Sequence, residues 1–253
     1  MKISFTKKEI LKLIVSAFVL GLVFGFDDGR EIFVLRLWFA NFMLMSALSL
    51  IVLAIMIVSQ KWAAARYSIK AEYEIWGISR FGFREFQKIP KNLWLKKVPL
   101  GIIIPLLIAV FSEGGIWFAG VGRMLTSIKT EHRIGRLWKN IADYEEARIA
   151  FAGPIATIIS LIIFGMLFER TGLELWKILI LISITVLLSN IIPFPQLAGG
   201  QMLFNSLYLF VFTLILAALS SLLILFVPTI PALTSALVLA IVGVIAVYFQ
   251  REV

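Results

Sequence analysis

Apolar residues fill this chain in long unbroken blocks, not at the alternating spacing of a soluble helix face. Uncharged stretches cover 37–60 and 149–168, and 178–250 holds 73 consecutive residues without Lys, Arg, Asp or Glu. About 20 such residues cross a hydrocarbon core as a helix. The blocks predict spans over 9–26, 36–59, 149–168, 177–193, 205–226 and 230–248. The run 99–122 is also long enough, but it carries Pro105, Glu113 and the pair Gly114–Gly115.

Charge decides how that run is used. The tail to Lys12 holds four Lys/Arg, segment 61–98 nine and segment 120–148 six. The 27–31 connection holds one beside three acids, and 169–177 holds two beside two acids. Basic loops favour the cytoplasm. With the N-terminus there, a full crossing by 99–122 would put basic 120–148 outside. A segment that dips in and returns puts every loop on its preferred side, so 99–122 is expected to be re-entrant. Irregular backbone survives at that depth only when buried in protein or lining a wet cavity. The expectation is an all-α, multi-pass cell-membrane protein of one domain, with about six spans and both termini cytoplasmic.

Composition agrees: 60% of residues are hydrophobic and the mean hydropathy is +0.98. The net charge of +9 is expected beside membrane spans and anionic lipid, and we do not read it as nucleic-acid binding. The run 10–26 follows three lysines but precedes FDDGRE, with no small-residue cleavage site, and is read as a retained span. The absence of cysteine excludes disulfides, thiolate metal sites and a Cys nucleophile.

One stretch breaks the longest apolar block: NIIPFPQLAGG, 190–200. Pro193 and Pro195 lack amide hydrogens, and Gly199–Gly200 permit unusual backbone angles. A helix ending there leaves polar backbone groups that need partners inside the protein. The stretch is similar to the Asn-x-x-Pro-x-Pro-x-Leu-Asp-Gly signature of site-2 protease family intramembrane metalloproteases. Upstream, FAGPIAT (151–157) resembles that family's Ala-Gly-Pro-Leu-Ala-Asn helix start. QKWAAARYSIKAEYEIW (60–76) resembles the run that follows the zinc-binding helix in archaeal members. The resemblance covers about residues 36–205 and implies a site-2-protease-like core with short cytoplasmic strands and a re-entrant loop.

The departures decide the expected function. In register with the family, the first zinc His falls on Met56, the general-base Glu on Ile57, the second His on Gln60, and the ligand Asp on Ala198. Zinc needs three His, Cys or carboxylate ligands and an open position for water. The water needs a base. None of these four residues supplies either. The resemblance therefore implies a pseudoprotease with no catalytic residue, metal or cofactor. Its groove, with Asn190, Pro193, Pro195, Gln196 and Glu113, would bind a transmembrane segment of a partner protein. Two alternatives stay open: a structural subunit of a membrane complex, and a metalloprotease with an unrecognised metal site.

Other residues carry competing readings. Glu113 is a functional candidate as an acid within a membrane segment, or a hydrated residue at a bend. Asn190 and Gln196 contact a partner's backbone or cap free carbonyls. His132, the only histidine, reads as a solvated side chain rather than a ligand. Ser59 and Lys61 point to different helix faces, which argues against a Ser–Lys protease. GLVFG (21–25) fits small-residue helix packing. Trp76, Trp94, Trp117 and Trp138 are expected in interfacial belts. The acids of YEEAR (144–148) favour a helix N-terminus.

Overall fold

The computed structural model describes residues 4–27, 29–30, 32, 34–78, 98–128 and 141–252. His132, Trp94 and Trp138 lie outside the described residues, as do 79–97 and 129–140 of the two basic segments. Among the described residues, eight helices and two strands follow the order α1 (Lys7–Phe24), α2 (Leu35–Arg66), β1 (Ile69–Ile75), α3 (Leu100–Phe111), β2 (Gly122–Ile128), α4 (Asp143–Thr171), α5 (Glu174–Ile191), α6 (Ala198–Asn205), α7 (Leu207–Leu223) and α8 (Thr229–Glu252).

Four helices among the described residues are long and apolar enough to cross a membrane: α2, α4, α5 and α8. The fold is therefore compatible with an all-α membrane protein. The two other expected spans fall on α1 and α7. α1 carries Lys7, Lys8, Glu9 and Lys12 in its first turns, and α7 is 17 residues long. By that measure four candidate spans stand among the described residues, and α1 and α7 fall outside it.

Helix boundaries differ from the expected spans where charge misleads. α2 continues past residue 59 to Arg66, because QKWAAAR is rich in helix formers and Arg66 suits the last turn. α4 begins at Asp143 and passes through FAGPIAT, so Pro154 is inside a helix rather than at its start. The YEEAR acids lie in its first turns, where the Glu145 carboxylate accepts the Ala142 amide at 3.2 Å.

Lys61 is tolerated in the α2 interior because it is paired. Its Nζ donates to Glu9 Oε2 at 2.8 Å and to the Ser4 carbonyl at 2.7 Å, with both charged side chains about 95% or more buried. Glu9 Oε1 accepts the Tyr73 amide at 2.8 Å, and the Tyr73 hydroxyl donates to Ser16 at 2.8 Å. Burial pushes the Tyr73 phenol up to about 12. These contacts bind β1 to the start of α1 and the end of α2. β1 and β2 pair antiparallel, Ile69 opposite Ile128 and Ile75 opposite Gly122.

The 99–122 run folds as a hairpin. Its two ends meet: the Gly101 amide bonds the Trp76 carbonyl at 3.0 Å, and the Trp76 amide bonds the Val121 carbonyl at 3.4 Å. α3 leaves the sheet, and a turn with Glu113 at φ 52° and Gly114 at φ 82° reverses the chain. Gly114 packs against Phe26 and Asp27 at the far end of α1. The chain then returns without regular secondary structure to β2. Trp76 is not part of an interfacial belt. It is 2% exposed, its indole N–H bonds the Gly120 carbonyl, and its ring packs 4.9 Å from Phe194. Trp117 is partly exposed, edge-on to Phe24. Within GLVFG, Gly21 lies against Ser46 of α2, where a Cβ would overlap the serine side chain.

Lys61→Met leaves the Glu9 carboxylate buried without its cation, and should lower stability by about 3 kcal/mol. The Glu9→Gln/Lys61→Met pair should recover much of that loss. Unfolding in detergent, followed by circular dichroism, measures both.

Candidate functional site

The site is built where α2, α4 and the break after α5 meet. α2 presents Met56 and Gln60 one turn apart, 5% exposed each, with Ile57 at 1%. α4 places Gly153 directly against them. A Cβ there would stand 2.6 Å from Gln60 Nε2 and 3.1 Å from Met56 Cγ. Glycine is required because α2 and α4 approach so closely. Ser59 donates to the carbonyls of Met56 at 2.7 Å and Ala152 at 3.0 Å, joining the same two helices. Ser59 and Lys61 thus have separate partners on separate faces.

α5 ends at Ile191. The Phe194 amide bonds the Ile192 carbonyl at 2.7 Å, and the Leu197 amide bonds the Phe194 carbonyl at 2.9 Å. α6 then starts at Ala198, itself 8% exposed. Gly199 and Gly200 lie on the carbonyls of Ile191 and Phe194, where a Cβ would overlap the backbone. The glycine pair therefore folds α6 back onto the end of α5.

The return limb of the hairpin closes this corner. The Ala119 amide donates to Ser189 Oγ at 2.9 Å. On β2, Arg123 bonds Gln196 and reaches Glu74 of β1 at 3.4 Å. Gln201 Nε2 reaches the Met124 carbonyl at 3.4 Å. Glu146 of α4 accepts from Thr126 at 2.9 Å and from Asn205 at 3.2 Å. Strand β2 is thus tied to both sides of the break.

The structure brings Met56 and Gln60 together against α4 and folds Ala198 into the adjacent core. No open cleft is needed to describe them: they are packed. Asn190 is 4% exposed and its Nδ2 donates to the Val186 carbonyl at 2.8 Å, one turn back in its own helix. Its side chain is thus held back on a carbonyl within its own helix. Gln196 is bound to Arg123. Pro193 and Pro195 are exposed, together with Ile192 and Phe194 between and beside them. Glu113 is exposed at the hairpin tip beside the α1–α2 connection, and no contact among the described residues joins it to the others.

Sequence reasoning missed Ser189, Arg123 and the Trp76–Phe194 contact. Arg123 carried a usable signal, since a lone basic residue at the start of a β-rich GRMLTSI run needs a cross-strand partner. Ser189, beside Asn190, gave none.

Among the described residues, no group of three His, Cys, Asp or Glu could hold a metal ion. Met56, Ile57, Gln60 and Ala198 do not fit a zinc site: a thioether, an amide and two hydrocarbons supply neither its ligands nor its base. No family model matches the chain, and neither a curated protein nor a solved structure matches it.

Gly199→Ala should destabilise the fold by roughly 1–3 kcal/mol, because the added methyl meets backbone that must shift. Lys177→Gln, a change at an exposed side chain, serves as the control. Melting temperatures in detergent compare the two.

Proposed function

We propose that the protein is a catalytically inactive, site-2-protease-like membrane protein that binds a transmembrane segment of a partner protein. In this reading it is a multi-pass cell-membrane protein with six spans and both termini cytoplasmic, and the 99–122 hairpin re-enters the bilayer.

One observation carries the reading. The three stretches on which the resemblance rests touch one another through the 60–76 run: Gln60 at its head lies against Gly153 of FAGPIAT, and Trp76 at its end packs on Phe194 of the 190–200 break. Helices brought together by close glycine contact, beside a proline-broken helix end, form the scaffold that the resemblance implies. The residues that would carry chemistry on it are Met56, Ile57, Gln60 and Ala198, which bind no zinc and move no proton.

The packed state of that corner refines where a partner would sit. The old metal position is filled by Met56 and Gln60, so binding there is not available without rearrangement. The exposed Ile192–Pro195 stretch is available. Its apolar side chains would meet a partner helix, and its irregular backbone would pair with groups freed by local unwinding of that helix. Trp76, behind Phe194, gives the stretch a rigid base.

A photocrosslinking residue at position 194 tests this in native membranes, with the same probe at lipid-facing position 239 as the control. The expected result is crosslinked peptides from a transmembrane segment of another protein at 194 alone. Lipid adducts alone at both positions would count against the proposal. A partner recovered at fixed one-to-one stoichiometry on purification would favour the alternative of a permanent structural subunit.

A further inference from the structure

At the sheet end of the bundle, where α2 stops and α4 starts, stand two exposed arginines. Neither has a carboxylate partner among the described residues. The Arg66 guanidinium lies 4.0 Å over the Trp62 ring. The Arg148 guanidinium donates to the Tyr67 hydroxyl at 3.1 Å and lies 5.7 Å from the Tyr144 ring. Tyr67 and Tyr144 meet edge to face at 6.4 Å. The aromatic rings hold both guanidiniums in place and leave N–H edges free. A stacked guanidinium presents those edges in the fork that matches phosphate.

Arg66 also heads an apolar stripe. Along α2 the exposed face runs from Arg66 through Trp62, Val58, Ile51 and Leu44, at helical spacing. On α4 the residues after Arg148 are covered, and exposure resumes at Ile159 and Ile163. A cation with aromatic rings at the head of a lipid-length apolar face is complementary to an anionic amphiphile. Lys177, by contrast, has Glu174 at 3.5 Å.

We infer that Arg66, Arg148, Trp62, Tyr67 and Tyr144 form a binding site for the phosphate headgroup of an anionic phospholipid, whose acyl chains lie along the exposed face of α2. The inference stands apart from the proposed partner site, which uses other residues.

Native mass spectrometry of the full-length protein in detergent, with equal phosphatidylglycerol and phosphatidylcholine, tests it. The protein should retain phosphatidylglycerol in preference, on the order of tenfold for two arginine contacts. Arg66→Gln/Arg148→Gln should bring the two lipids near parity at an unchanged melting temperature, while Lys177→Gln keeps the preference. Should the double variant melt early, Arg66→Gln alone carries the test, since it removes no side-chain hydrogen bond, and should lose part of the preference. Excess inorganic phosphate should not displace the lipid. Parity in the wild-type protein, an undiminished preference in the arginine variants, or displacement by phosphate would each overturn the inference.

Discussion

Backbone amides and carbonyls inside apolar surroundings must find partners within the protein, and the break after Asn190 is organised by that requirement. Two prolines end the α5 helix, so the chain cannot satisfy itself by continuing. The glycine pair answers locally by letting α6 lie on the carbonyls of Ile191 and Phe194. Strand β2 and the hairpin limb answer from outside, through Arg123 on Gln196 and Ala119 on Ser189. The small sheet is therefore not an appendage. It is the element that lets a helix stop in apolar sequence.

A second constraint anchors the sheet in turn. Lys61 lies in a helix interior that continues well past the expected span, and Glu9 comes from the first turn of the chain's first helix. Their buried pair, with the Tyr73 amide on the same carboxylate, joins α1, α2 and β1 at one point. A buried ion pair adds little net stability over apolar packing, but each partner makes the other indispensable. It fixes which residue of β1 faces the helices, and the antiparallel register carries that choice to Arg123 through its cross-strand neighbour Glu74. Placement of the break thus depends on contacts formed at the other edge of the sheet.

Much of this architecture was legible in the sequence. Uncharged blocks located six of the helices, although α2 and α4 run well beyond theirs into charged sequence, and loop charge pointed to a 99–122 segment whose two ends lie together. What escaped was long-range pairing of polar residues. Lys61 read as the first residue of a loop because its partner is 52 positions away. Trp76 read as interfacial because single-residue statistics do not reveal a carbonyl waiting for its indole N–H. The candidate site was legible as a set of stretches but not as a shape. Met56 and Gln60, read as former metal positions, are packed because Gly153 admits α2 so closely, and Asn190, read as lining a groove, is buried. Glu113 was grouped with them on membrane depth alone, whereas the hairpin carries it to the opposite end beside Asp27.

The account stands or falls on the chemistry of one corner, where a thioether, an amide and two hydrocarbons occupy positions that would need metal ligands and a base. Elemental mass spectrometry of the mildly washed, detergent-purified protein measures this directly. The account predicts zinc below about a tenth of an equivalent, since a site without ligands has no affinity to retain it. Zinc near one equivalent would contradict it and would require a metal site built from residues other than Met56, Ile57, Gln60 and Ala198.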